Sequence, residues 1–92
     1  MSFQIIISNE LKKTLIVLKR KDKTMFEMVA KKIMQIASSD SLAIQHYKNL
    51  RKPLNDFKRV HLGSYVLLFR VHADKIIFET FDHHDQIYQK RQ

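Results

Sequence analysis

The spacing of apolar side chains changes once along this chain, and that change limits the fold more than any other feature. From Leu11 to Ile36 apolar residues recur at helical intervals, as in helices with one buried face. From Phe57 to Phe81 they alternate or run together in short β-branched and aromatic blocks, as in strands. Helices and strands therefore occupy separate stretches of chain, which is the pattern of an α+β fold.

The boundaries follow from local chemistry. Phe3 to Ile7 reads as a short strand that stops at Ser8-Asn9. Ser8 or Asn9 can cap a first helix, roughly Glu10 to Arg20, with Leu11, Leu15 and Leu18 as its stripe. The charged tract Lys19-Arg20-Lys21-Asp22-Lys23 breaks it. Thr24-Met25-Phe26-Glu27 has the form of a capping box, opening a second helix with Phe26, Val29, Ile33 and Ile36 on one face. A connection this short predicts an antiparallel helix pair. Ser38 to Ser41 ends the second helix, and Leu42 to Tyr47 adds a helical turn. Pro53 and Asn55-Asp56 mark a loop. Three strands then follow, Phe57 to Leu62, Tyr65 to Val71 and Lys75 to Phe81, with turns at Gly63-Ser64 and Ala73-Asp74. The expected architecture is an N-terminal strand, a helix pair and a three-stranded antiparallel meander. One sheet face packs on the helices, and the other faces outward carrying polar and basic residues. The 92 residues, 1-92, read as one domain.

Charge narrows the function. Seventeen Lys and Arg against nine Asp and Glu give a formal net charge of +8. A balance this basic is a common footprint of nucleic-acid binding, although acidic proteins and anionic membranes also attract it. With no cysteine there is no disulfide framework and no thiolate metal site. The apolar runs are too short to span a bilayer, and the start Met1-Ser2-Phe3-Gln4 has no signal-peptide pattern. The expectation is a cytoplasmic protein without a membrane partner.

Five histidines, His46, His61, His72, His83 and His84, are the chemically informative residues. Histidine can give and take protons near neutral pH. Alternation along Phe57–Leu62 puts Arg59 and His61 on one side and Val60 and Leu62 on the other, so Arg59 and His61 share the open face. His83, His84 and Tyr88 follow the last strand. Cleaving RNA through its own 2′-OH requires a base, an acid and positive charge around the phosphorus, and no cofactor. Two histidines with Arg or Lys supply that kit. The bland readings stand beside it: most surface histidines are inert, His72 sits at a turn, and adjacent His83-His84 make a poor metal site. No metal and no cofactor are expected.

The stretch Phe57-Lys58-Arg59-Val60-His61-Leu62-Gly63-Ser64-Tyr65-Val66-Leu67-Leu68-Phe69 resembles the central hairpin of the RelE/ParE superfamily of toxins. Phe81-Asp82-His83-His84-Asp85-Gln86-Ile87-Tyr88 is similar to its closing motif, and the element order matches along essentially the whole chain. Within the RelE branch the YafQ-like members, which use His for some of the Arg and Lys, are most similar. The resemblance implies a ribosome-dependent mRNA endoribonuclease, the toxin of a toxin–antitoxin pair. His61 and His84 would be the acid/base pair, Arg59 would bind phosphate or the transition state, and Tyr88 would orient or stack the substrate. Lys48 or His46 would fill an upstream catalytic position. The basic residues Lys48, Arg51, Lys52 and Lys58 would bind RNA. Implied partners are an acidic RelB-like antitoxin in a heteromeric complex, mRNA in the ribosomal A site, and ribosomal RNA. Two positions depart from the pattern: Val66 stands where RelE has an Arg, and Ser64 near where YafQ-like members have a carboxylate. A ParE-like gyrase poison, which needs no acid/base pair, and an inactive antitoxin-binding module are the alternatives.

Overall fold

The computed structural model describes residues 3–45, 47 and 57–90. Strand β1 (Gln4–Ile7) leads into helices α1 (Asn9–Lys21) and α2 (Lys23–Ala37) and a short α3 (Ser41–Gln45). Strands β2 (Lys58–Leu62), β3 (Tyr65–His72) and β4 (Lys75–His83) follow, and α4 (His84–Lys90) ends the described chain. The sheet order is β1-β4-β3-β2. Strands β2, β3 and β4 form the expected antiparallel meander, and β1 adds in parallel beside β4. The loop signals at Pro53 and Asn55-Asp56 lie outside the described residues.

Each helix boundary has an identifiable cause. Ser8 is the N-cap of α1: its hydroxyl oxygen accepts the Leu11 N–H at 3.0 Å. The Ser8 hydroxyl in turn donates to the carbonyl of Glu79, tying the cap to β4. The capping box expected at Thr24–Glu27 does not start α2. Asp22 does, accepting the Met25 N–H on its carboxylate at 3.1 Å. Asp22 has an extended φ of −149°, and its own N–H donates to the Leu18 carbonyl at 2.8 Å. One residue therefore ends α1 and begins α2, leaving Thr24 inside the helix. A carboxylate at the N-cap also meets the positive end of the helix dipole.

The core lies between the helix pair and one sheet face. Leu11, Val29, Ile33 and Ile36 from the helices meet Leu67, Phe69, Ile76, Phe78 and Phe81 from the strands. Phe69 and Phe78 are completely buried with ring centroids 5.7 Å apart. Burying a ring of this size stabilises by roughly 1.5–3 kcal/mol. Among the described residues no helix is long and apolar enough to cross a membrane.

Strand β4 departs from simple alternation. Its pairing with β3 shifts between Leu68 and Phe69, since Leu68 pairs with Thr80 and Phe69 with Phe78. Glu79 is the extra residue, a bulge that changes which parity points inward. Ile76 and Phe78 are buried before the bulge, and Phe81 is buried after it. Glu79 remains useful: its carboxylate accepts from Arg70 Nε at 3.1 Å. Buried Thr80 donates its hydroxyl proton to the Glu10 carboxylate, a second tie between α1 and β4.

Both hairpin turns have two residues, and the first of each has positive φ: 64° at Gly63 and 57° at Ala73. Glycine adopts that conformation freely, whereas an alanine pays a steric penalty there. Ala73→Gly should stabilise the protein by about 0.5–1 kcal/mol, raising Tm by roughly 2–6 °C in a thermal melt.

Candidate functional site

The candidate site sits at the end of the sheet, where the β2–β3 turn meets the start of α4. The pairing register places His61 of β2 opposite Val66 of β3, and Val66 opposite Asp82 of β4, in one row across the sheet. The neighbouring row on that face holds Arg59, Leu68 and Thr80. Lys58, Val60 and Leu62 belong to the opposite face, where Leu62 is buried and Val60 packs on the main core.

Helix α4 was not anticipated from the polar sequence 82–92, and it covers part of the face expected to be open. Its anchor is Ile87, 1% exposed, which packs on Val66 and Leu68 with Phe57 alongside. Seven residues cannot sustain a helix in water by themselves, so tertiary contacts must hold it. Its N-terminus is fastened by two backbone N–H groups. That of His84 donates to the Ser64 carbonyl at 2.9 Å, and that of Asp85 donates to the ring Nδ1 of His83 at 3.3 Å. Asp85 in the first turn suits the helix dipole. Just before the helix, the Asp82 carboxylate accepts the His83 N–H at 2.7 Å.

This fastening brings His84 against His61. Their rings stack at 5.8 Å between centroids with planes 29° apart, and both residues are exposed to solvent. His84 Nδ1 lies 3.4 Å from an oxygen of Asp85, whose other oxygen lies 3.9 Å from His83 Nδ1. His83 belongs to the opposite face of β4, where it meets the ring of Tyr65 edge-on at 5.7 Å. Tyr65 in turn stacks on Phe81 at 5.3 Å. The two adjacent histidines thus part company, and only His84 joins His61. No group of three His, Cys, Asp or Glu that could hold a metal ion occurs among the described residues.

The other residues singled out from the sequence divide three ways. Arg59 is half-buried two positions from His61 on the same face of β2. Lys58 is directed elsewhere, its ammonium donating to the Tyr47 carbonyl at 3.3 Å. His46, Lys48, Arg51 and Lys52 lie outside the described residues, and Tyr88 lies on α4 with its side chain outside them. Of the two carboxylates the sequence offers to His61, Asp82 and Asp85, the structure sets Asp85 beside His84 instead. The signal was present: a carboxylate directly after the histidine at the start of a new element.

A small basic α+β chain with two histidines stacked beside an arginine-bearing strand is the class of protein this structure defines. No protein-family model matches the chain. It is 45% identical over 92 residues to the protein named "Putative toxin RelE4" of Methanocaldococcus jannaschii, covering 97% of this chain and 94% of that one. In fold it is similar to the toxin–antitoxin complex RelBE2 of Mycobacterium tuberculosis, with a TM-score of 0.70 at 16% identity over 91% of this chain and 93% of that one. It is also similar to YafQ of Escherichia coli, with a TM-score of 0.69 at 15% identity over 94% and 98%. The chain belongs to the RelE family of toxins.

Because Ile87 is what seats α4, Ile87→Ala should cost about 2–4 kcal/mol of local stability. Amide exchange in α4 should accelerate and the NOE contacts between the His61 and His84 rings should vanish, while the β3–β4 amides stay protected.

Proposed function

We propose that this toxin is a ribosome-dependent endoribonuclease that cuts mRNA and so arrests translation in the cytoplasm. The observation that carries this reading is the stacked pair His61 and His84, two proton-transfer groups from distant elements brought within 5.8 Å on a basic protein. The substrate supplies its own nucleophile. One histidine takes the proton of the 2′-OH as that oxygen attacks phosphorus. The other gives a proton to the 5′ oxygen as the P–O5′ bond breaks, leaving a 2′,3′-cyclic phosphate and a 5′-OH. Ring centres at this spacing let both act on one phosphate, and proton transfer of this kind contributes roughly 10²–10⁴-fold each. Arg59 supplies positive charge to the phosphorane-like transition state. Tyr88 stacks or orients a base of the message. Lys48, Arg51 and Lys52 bind RNA, and His46 or Lys48 fills a further catalytic position. The ribosome brings the message to the site, with mRNA in the A site and ribosomal RNA as partners.

An acidic antitoxin is the expected inhibitor, and the surface offers it a seat. Ile16 and Val17 of α1 are 63% and 48% exposed, large apolar side chains open to solvent. Val17, Leu18, Met25 and Tyr65 line a groove of about 500 Å³ together with Lys13, Lys21 and Asp22. An apolar groove bordered by lysines suits an amphipathic acidic segment.

Two experiments test these statements. Induced expression of wild type should stop growth and produce new mRNA 5′ ends inside translated messages. His84→Ala should lose both while keeping the wild-type thermal melt; toxicity that survives the substitution defeats the nuclease reading, and arrest with intact messages redirects it to a gyrase poison. Separately, Val17→Glu should weaken the complex with a cognate antitoxin by at least about tenfold, measured by titration calorimetry. Message cleavage by the free toxin should remain unchanged.

A further inference from the structure

We infer that Arg70 is a phosphate-binding residue that grips the RNA backbone on the same sheet face as the His61–His84 pair. It rests on the nuclease reading above.

The pairing register fixes where Arg70 lies. Val66, Leu68, Arg70 and His72 share one face of β3, since side chains alternate along a strand. Val66 stands in the row of His61 and Asp82, and Leu68 in the row of Arg59 and Thr80. Arg70 stands opposite Ile77 in the next row, which continues to Ile6 of β1. His72 stands opposite Lys75 in the row after that. Ile87 of α4 packs on Val66 and Leu68, and Arg70 follows beyond them on the same strand face. From the row of His61 to that of Arg70 is a step of about 13 Å along β3. A strand of RNA with one phosphate at the histidine pair covers that step within a few nucleotides.

The contacts of Arg70 leave its working end outward. Its Nε donates to the Glu79 carboxylate at 3.1 Å. A guanidinium carries five N–H donors in a rigid fork, and Nε supplies one of them. Among the described residues Arg70 has no other polar partner, so the terminal amino groups keep their donors for a ligand. The two side chains are 43% and 22% exposed, and an ion pair this open to water adds little stability. A carboxylate that holds Nε does fix the plane of the fork, which is what a bidentate grip on phosphate needs. Glu79 is the bulge residue of β4, so the bulge that aligns Asp82 with His61 also delivers this carboxylate to Arg70. Arg59 precedes Arg70 on this face and Lys75 follows it, which makes a line of cations leading away from the pair. The groove assigned to the antitoxin is lined by α1 and by Tyr65, on the other face of β3.

Binding to a short, fluorescently labelled and fully 2′-O-methylated RNA oligonucleotide tests this without any cleavage. Anisotropy titrations of the full chain at several salt concentrations give the slope of log K against log salt. One lost phosphate contact lowers the size of that slope by about 0.7 on a single strand. Arg70→Gln should show that loss and should bind on the order of tenfold more weakly at low salt. Lys31→Gln removes the same charge from the exposed side of α2 and should keep the wild-type slope. Both variants should melt as wild type does. In ribosome-programmed cleavage Arg70→Gln should raise KM about tenfold at unchanged kcat, because Arg70 stands away from the reacting pair. Matching slopes for wild type and Arg70→Gln, absence of binding by both included, overturn the proposal whether or not the protein cuts RNA. An equal loss in Lys31→Gln overturns it as well. Unchanged RNA binding with a weakened antitoxin complex overturns it and gives Arg70 to the antitoxin. The expected loss of RNA binding in a protein that cuts no message upholds the role of Arg70 and rejects the nuclease reading alone.

Discussion

The long antiparallel pairing of β3 with β4 is the constraint on which the rest of this molecule depends. Every other strand attaches to it, β1 along β4 and β2 along β3. Its inner face carries Phe69 and Phe78, against which the helix pair packs. Its bulge at Glu79 does more than bend a strand. Without it Phe81 would point away from the helices, and His83 would follow. With it Asp82 falls in the row of Val66 and His61, and β4 ends beside the Gly63-Ser64 turn. That ending is what lets His84 bond to Ser64 and stack on His61.

The candidate site is consequently assembled from two elements that are held in different ways. His61 rides on a strand paired through its length with the centre of the sheet. His84 rides on a seven-residue helix whose Ile87 packs on the sheet and whose start is fastened by two N–H bonds. Val66 is fully buried and packs against Ile87. An arginine side chain would not fit that seat without placing an unpaired charge in an apolar contact. Val66 is therefore part of how α4 is held.

Much of this was legible beforehand, for reasons that differ from residue to residue. Leu11, Val29, Ile33 and Ile36 declared their helices because a helix with one buried face must repeat at that interval. His61 and Arg59 declared their shared face because a strand has period two. The capping box at Thr24–Glu27 misled because Asp22, two residues earlier, is the stronger acceptor and serves both helices at once. Helix α4 went unread because the polar sequence 82–92 has too little apolar periodicity to signal a helix. The bulge at Glu79 left no local mark, since its cause is the need to bury Phe78 and Phe81 on one side.

What the sequence by itself determined is the set of elements, their order and the fold class, together with the charge and the two histidines of interest. Those properties are local, written in periods and caps that neighbouring residues enforce. Only the tertiary structure decided which histidine of the adjacent pair meets His61, where Lys58 turns, and that one sheet face is partly covered. Those choices depend on strand register and on a short helix that exists only when packed, and both are settled by contacts between residues far apart in the chain.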